Sequence, residues 1–159
     1  MNEELNESLL EAREELKRLE HIIYVSLKYT RTVDIILNAL NRLVSTYDFI
    51  IEAFLEKANE EGLIDFLPKS PALKGKTLAE LYPEDKMIQK NLCFYSCLRT
   101  VLKSPHQKRQ EFRRHVTLIV ELEKSTAEVE IDCLVNYEKF IHKFLLYSLK
   151  EINGYVEED

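Results

Sequence analysis

The sequence predicts an all-α fold: a single-domain bundle of about five helices, mostly antiparallel, over residues 1–159. Two observations support this. Only three glycines and four prolines occur in the chain, and residues 1–61 contain neither, so a sheet protein rich in tight turns is disfavoured. Apolar residues recur at helical spacing, and the chain is 45 % apolar, which suits one core of ordinary domain size.

Helix one carries the clearest periodic signal. Asn2 is a candidate N-cap, and apolar residues then follow at alternating intervals of four and three, which draws one apolar seam along a helix. The same seam can be buried by the chain's own bundle or by a second copy, and we expect the second, a homodimer. The predicted dimer seam consists of Leu5, Leu9, Leu16, Leu19 and Ile23, with Ala12 on the same line.

Helix two is predicted to begin after Thr32, whose hydroxyl can cap it, and to end at Gly62. Its apolar stripe is too wide for a two-helix seam, so we expect a central helix. Residues 62–76 hold two prolines and two glycines and predict one long loop. Thr77 and Glu80 match a capping box for a short helical turn, and Pro83 suits the first position of helix three, which ends near Lys103.

Ser104-Pro105 predicts the start of helix four, and the capping-box pattern from Ser125 to Glu128 predicts the start of helix five, which Gly154 ends. A β-hairpin is the alternative for residues 116–133. Apolar and polar residues alternate there on both sides of Lys124 to Thr126. The missing turn glycine and the marginal stability of an isolated two-stranded ribbon favour the helices.

The segment from Lys103 to His115 concentrates basic residues in a chain whose net charge is −6. Its helical angles place the basic side chains on one wet face and turn Phe112 and His115 toward the core. That face could bind RNA or an acidic protein partner, because phosphate and carboxylate groups need a local excess of positive charge. The candidate binding residues are Lys103, Lys108, Arg109, Arg113 and Arg114.

An arginine followed by histidine after four to six residues is typical of the HEPN superfamily of helical bundles. Arg99 with His106 and Arg109 with His115 have this spacing, and the layout of five helices with a late basic segment resembles that family. The resemblance implies an RNA-directed function, with Arg99, His106 and Arg109 as the catalytic candidates. Thr100 and Gln110 follow the two arginines instead of the particular polar residue that is usual in that family, so the implied ribonuclease centre is degenerate.

The sequence contains no motif that is typical of metal, cofactor or thiol chemistry. Glu111 with His115 and Glu138 with His142 are four residues apart, whereas di-metal bundles use three, so we expect no metal. No Gly-rich phosphate loop occurs, and no cofactor is expected. The three cysteines, Cys93, Cys97 and Cys133, are predicted to be small buried apolar residues.

The resulting functional expectation is a non-enzymatic, cytoplasmic helical binding or assembly protein that associates with itself. No leader or membrane span is expected, since no apolar run approaches about 20 residues. The alternative function is a HEPN-like RNA-binding protein or ribonuclease, such as a toxin–antitoxin component, acting through residues 99–115.

Overall fold

A computed structural model describes residues 6–154, a mostly helical bundle of five helices with a small three-stranded antiparallel sheet. The predicted helical bundle is confirmed in this coarser form, and a purely all-α fold is wrong. One continuous cluster of buried apolar side chains joins the helices and the sheet. No helix in residues 6–154 is long and apolar enough to cross a lipid bilayer.

The first helical arm consists of α1 (Glu7–His21), a π-helical turn (Ile22–Ser26) and the short α2 (Leu27–Tyr29). Asn6 caps it, since its Oδ1 accepts hydrogen bonds from the backbone N–H of Ser8 at 2.8 Å and of Leu9 at 3.3 Å. The predicted cap Asn2 and the seam residue Leu5 lie outside the described residues.

The described residues of the predicted dimer seam are buried inside the chain, which corrects their assignment as a dimer contact. Leu9, Leu16, Leu19 and Ile23 are at most 5 % exposed, and α1 packs mainly on α3 and also on α6. These side chains are therefore buried within their own chain and offer no surface to a second copy. Self-association itself stays a prediction.

Helix α3 (Val33–Glu60) is the central helix, as predicted: it packs against α1, α4, α5, α6 and the sheet. Thr32 caps it, with Oγ1 accepting from the N–H of Ile35 at 3.4 Å. Beyond its end, Gly62 has a φ of +77°, a left-handed conformation that glycine adopts without steric cost.

The connection after α3 is shorter than predicted, because α4 (Pro71–Leu81) occupies half of it. Ser70 is the N-cap and Pro71 the first helical residue, so the predicted capping box at Thr77 is wrong and lies mid-helix. Helix α5 (Lys86–Lys103) starts after the cap Asp85 rather than at Pro83, and it ends where predicted.

The predicted helix four is wrong: the chain forms β1 (His106–Arg109), β2 (Thr117–Glu121) and β3 (Thr126–Val129) in the order β1-β2-β3. His106 pairs with Val120, and Leu118 pairs with Val129. Val116, Leu118 and Val120 are all fully buried. A helix would put Val120 about 40° from His106, on the wet side, whereas a strand turns every second residue inward.

Helix α6 (Ile131–Asn153) closes the fold between α1, α3 and α5. It begins after β3, so the predicted helix start at Ser125 is also wrong. Its end is confirmed, since Gly154 has a φ of +67° and its N–H bonds the carbonyl of Lys150 at 2.8 Å.

Candidate nucleic-acid interface

The basic segment lies on β1 and on the loop of residues 110–116 that connects β1 to β2, which we call the basic loop. Gln110 and Phe112 have φ values of +54° and +65°, a left-handed conformation that is uncommon for residues other than glycine. Within the loop, the N–H of Arg113 bonds the carbonyl of Gln110, and that of Val116 bonds the carbonyl of Arg113, both at 3.1 Å. The loop is therefore a defined turn anchored by buried Val116.

Two hydrogen bonds fix the basic loop to the α2–α3 junction. The N–H of Phe112 donates to the carbonyl of Arg31 at 2.6 Å, and a carboxylate oxygen of Glu111 accepts from the N–H of Val33 at 2.7 Å. Glu111 thus acts as a second cap at the N-terminus of α3, where the helix dipole favours a negative charge. These contacts place the loop beside the segment that carries Tyr29 and Arg31.

The predicted basic face divides into paired and free charges. Lys108 pairs with Asp34 at 3.6 Å and Glu111 at 3.7 Å, and Arg109 pairs with Glu128 at 2.5 Å. Lys103 is exposed on the end of α5, outside the basic loop. Arg113 and Arg114 are exposed, and neither they nor Arg31 pair with a carboxylate within residues 6–154.

Two large aromatic side chains accompany these three arginines. Phe112 is 74 % exposed and Tyr29 is 83 % exposed, although an aromatic ring gains most from burial. The predictions that Phe112 and His115 face the core are both wrong, because neither residue lies on a helix. The side chain of His115 is exposed and lies 3.5 Å from Glu130.

We call Tyr29, Arg31, Phe112, Arg113 and Arg114 the arginine–aromatic surface. A hollow of about 190 Å³ adjoins it, lined by Arg31 and Arg114 together with His115, Glu130 and Asp132. The hollow thus holds two carboxylates beside the two arginines. The sequence did not indicate that Tyr29 and Arg31 lie beside the basic loop, because their neighbours in the fold are some 80 positions away in the chain.

The candidate catalytic residues are not joined by any contact in the part of the chain that the structure describes. Arg99 lies on α5 with its guanidinium 5.8 Å from the ring centroid of Tyr95. His106 and Arg109 are three residues apart on β1, so their side chains point to opposite faces of the strand. Arg109 is occupied by its pair with Glu128.

A second polar cluster lies between α1, the π-helical turn and α6. Glu20, Glu138 and His142 each place one ligand atom within 4.8 Å of the others, beside Tyr24 and a hollow of about 450 Å³. Burial raises the pKa of Glu20, and the charge of Glu138 raises it further. The expected pair Glu138 and His142 is thus joined by a third group, which the sequence did not indicate.

The cysteines are placed differently from the prediction. Cys93 and Cys97 are exposed on α5, and Cys133 is partly exposed, so the expectation of three buried thiols is wrong. All three are free thiols.

Comparisons with protein-family models, with curated proteins and with solved structures found no match for this chain. The resemblance to the HEPN superfamily stays a prediction.

Proposed function

We propose that this protein is a non-enzymatic binding protein for single-stranded RNA and that the arginine–aromatic surface is its binding site. The observation that carries the proposal is the exposure of Phe112 and Tyr29 beside Arg31, Arg113 and Arg114. Aromatic faces stack on unpaired bases, and arginines contact the phosphates between them.

The backbone of the basic loop supports this function. Phe112 is held outward in a left-handed conformation by its hydrogen bond to Arg31, and the preceding residue, Glu111, is itself hydrogen-bonded to the start of α3. Such strained backbone conformations cost on the order of 1–3 kcal/mol and concentrate at ligand sites. A loop that presents a ring in a fixed position loses less conformational entropy on stacking.

The charge distribution limits the size of the site. The net charge of −6 gives no general attraction for nucleic acid, and Lys108 and Arg109 are neutralised by carboxylates. Three arginines remain for phosphate contact. We therefore expect a short site of a few nucleotides whose affinity depends on stacking as much as on charge.

The test is fluorescence anisotropy of a labelled single-stranded RNA of about 12 nucleotides, measured over a range of salt concentrations. Arg113→Ala with Arg114→Ala should lower the salt slope by about 0.7 for each phosphate that these two arginines neutralise. Phe112→Ala should weaken binding by roughly 5- to 150-fold, equivalent to about 1–3 kcal/mol of stacking, and leave the slope unchanged.

The matched control is Lys69→Ala with Lys124→Ala, which removes two exposed positive charges outside this surface and should leave binding unchanged. The proposal fails if RNA does not bind, or if the arginine variant behaves like this control. Equal binding of an acidic peptide, insensitive to Phe112→Ala, would instead identify an acidic protein partner. RNA cleavage that His106→Ala abolishes would overturn the non-enzymatic assignment and support the HEPN-like chemistry.

A further inference from the structure

The cluster of Glu20, Glu138 and His142 lies on the far side of α6 from its contacts with α5, and the RNA proposal does not use it. Glu20 is in the last turns of α1. Glu138 and His142 are one helical turn apart on α6, so their side chains share a face. Two helices therefore direct two carboxylates and one imidazole at the same point.

The Glu138 carboxylate is buried and has few polar partners in the described part of the chain. The residue is 8 % exposed, and its only hydrogen bond in the described chain comes from the Tyr24 hydroxyl at 3.3 Å, longer than the usual 2.5–3.0 Å for such a bond. Nδ1 of His142 lies 3.9 Å from its other oxygen, beyond hydrogen-bond distance. A buried carboxylate in this state is stabilised by a cation.

The surrounding lysines do not supply that cation. Lys139 and Lys143 line the hollow, but no lysine forms an ion pair with Glu20 or Glu138 anywhere in residues 6–154. Lys17 pairs with Glu14 at 3.7 Å, and its charge lowers the pKa of Glu20 less than the charge of His142 does. The two carboxylates thus face each other with the imidazole as their nearest basic neighbour.

We infer that Glu20, Glu138 and His142 form a binding site for a divalent transition-metal ion, with Zn²⁺ as the preferred occupant. Imidazole with carboxylate is a ligand set for zinc, which takes four ligands and leaves one position open when the protein supplies three. Bond lengths of about 2.0–2.2 Å bring tetrahedral ligand atoms to roughly 3.3 Å from one another. The 4.8 Å spread closes to this by side-chain rotation, and the hollow beside it admits the ion.

The fold explains how Tyr24 reaches Glu138 on α6. The π-helical turn at Ile22–Ser26 follows directly after α1, and Tyr24 within it contacts Glu138. A π-helical turn contains one extra residue per turn, which shifts the side chains on either side of it around the helix. The Tyr24 hydroxyl donates a hydrogen bond to Glu138. In metal sites, a group that hydrogen-bonds a ligand in this way orients that ligand toward the ion.

The experiment is a calorimetric titration of the metal-free full chain with Zn²⁺. The starting protein should carry Cys93→Ser and Cys97→Ser, because two exposed thiols one helical turn apart could bind zinc themselves. We expect one ion per chain. Glu20→Gln and His142→Ala should each weaken binding by at least about tenfold, and unfolding measured without metal should show that both variants remain folded.

The matched control is His115→Ala, which removes an exposed histidine that also faces a glutamate, Glu130, but belongs to no group of three ligand atoms within 4.8 Å of one another in residues 6–154. Its zinc affinity should equal that of the starting protein. The proposal is overturned if the starting protein binds no zinc, if Glu20→Gln and His142→Ala bind as tightly as it does, or if His115→Ala lowers the affinity as much as they do. Glu20 is only partly buried, so its substitution tests the site even where Glu138→Gln fails to fold.

Discussion

The structural role of Glu111 follows from its contacts and not from its neighbours in the sequence. In the sequence it is the one acid in a run of basic residues. In the structure its carboxylate accepts the N–H of Val33 at 2.7 Å and pairs with Lys108 at 3.7 Å. It therefore caps the central helix and fixes the start of the basic loop, and it also neutralises part of the charge of Lys108.

Glu111→Ala should lower the free energy of unfolding by about 1 kcal/mol, the usual cost of losing a helix N-cap. Glu111→Gln should lose less, because an amide oxygen can still accept the bond from Val33. Urea unfolding measures both values. Glu123→Ala, an exposed acid in the β2–β3 turn, is the control and should change stability by less than about 0.5 kcal/mol. Equal stability of Glu111→Ala and the wild type would contradict the capping role.

At the scale of elements, the sheet is the main departure from the sequence prediction. The expected weakness of a two-stranded ribbon does not apply, because β1 adds a third strand and Val116, Leu118 and Val120 pack on the core. Tertiary burial thus overrides the local capping pattern at Ser125. The same change moves the arginines from one helical face to a strand and a loop, where only some of them remain unpaired.

The strand assignment predicts opposite outcomes for neighbouring residues. Leu118 is fully buried, and Leu118→Ala should cost about 2–5 kcal/mol of unfolding free energy. Ile119 faces the other side of the sheet and is partly exposed, so Ile119→Thr should cost less than about 1 kcal/mol. Chemical denaturation of both variants measures these two losses of unfolding free energy. A larger loss for Ile119→Thr would contradict the strand, since in a helix Ile119 would belong to the buried face.

At the scale of the whole molecule, the apolar side chains of α1 that were predicted to form a dimer contact are packed inside the bundle. Leu9, Ala12 and Leu19 are fully buried, mostly by α3. These side chains could contact a second copy of the chain only if the bundle opened. What remains exposed and apolar is elsewhere, including Phe112 and Tyr29 on the arginine–aromatic surface.

Leu19→Ala should therefore lower the free energy of unfolding by about 2–5 kcal/mol, and the unfolding midpoint of the wild type should not depend on protein concentration through this seam. Leu10→Ala, on the 45 % exposed side of the same helix, is the control and should cost less than about 1 kcal/mol. Denaturation at protein concentrations about 100-fold apart provides the measurement. A midpoint that rises with concentration, and loses this dependence in Leu19→Ala, would restore the dimer seam.

Local signals in the sequence determined the long helices and most of their ends. Thr32 and Gly62 bound α3, Gly154 ends α6, and the apolar spacing fixes which side of α1 is buried. These features depend on backbone capping and on the helical period, which neighbouring residues specify by themselves. Ser70 and Pro71 begin α4 by the same local rule, although the prolines and glycines of residues 62–76 indicated a loop there.

Only the tertiary structure decided the sheet and the sites. Whether Val120 lies inward depends on α3 being there to cover it, and an alternating pattern alone fits both a ribbon and a helix with a mixed face. Tyr29 and Arg31 join the basic loop, and Glu20 joins Glu138 and His142, across separations of about 80 and more than 100 positions. No local period encodes such contacts, because they arise from how helices pack rather than from how the chain repeats.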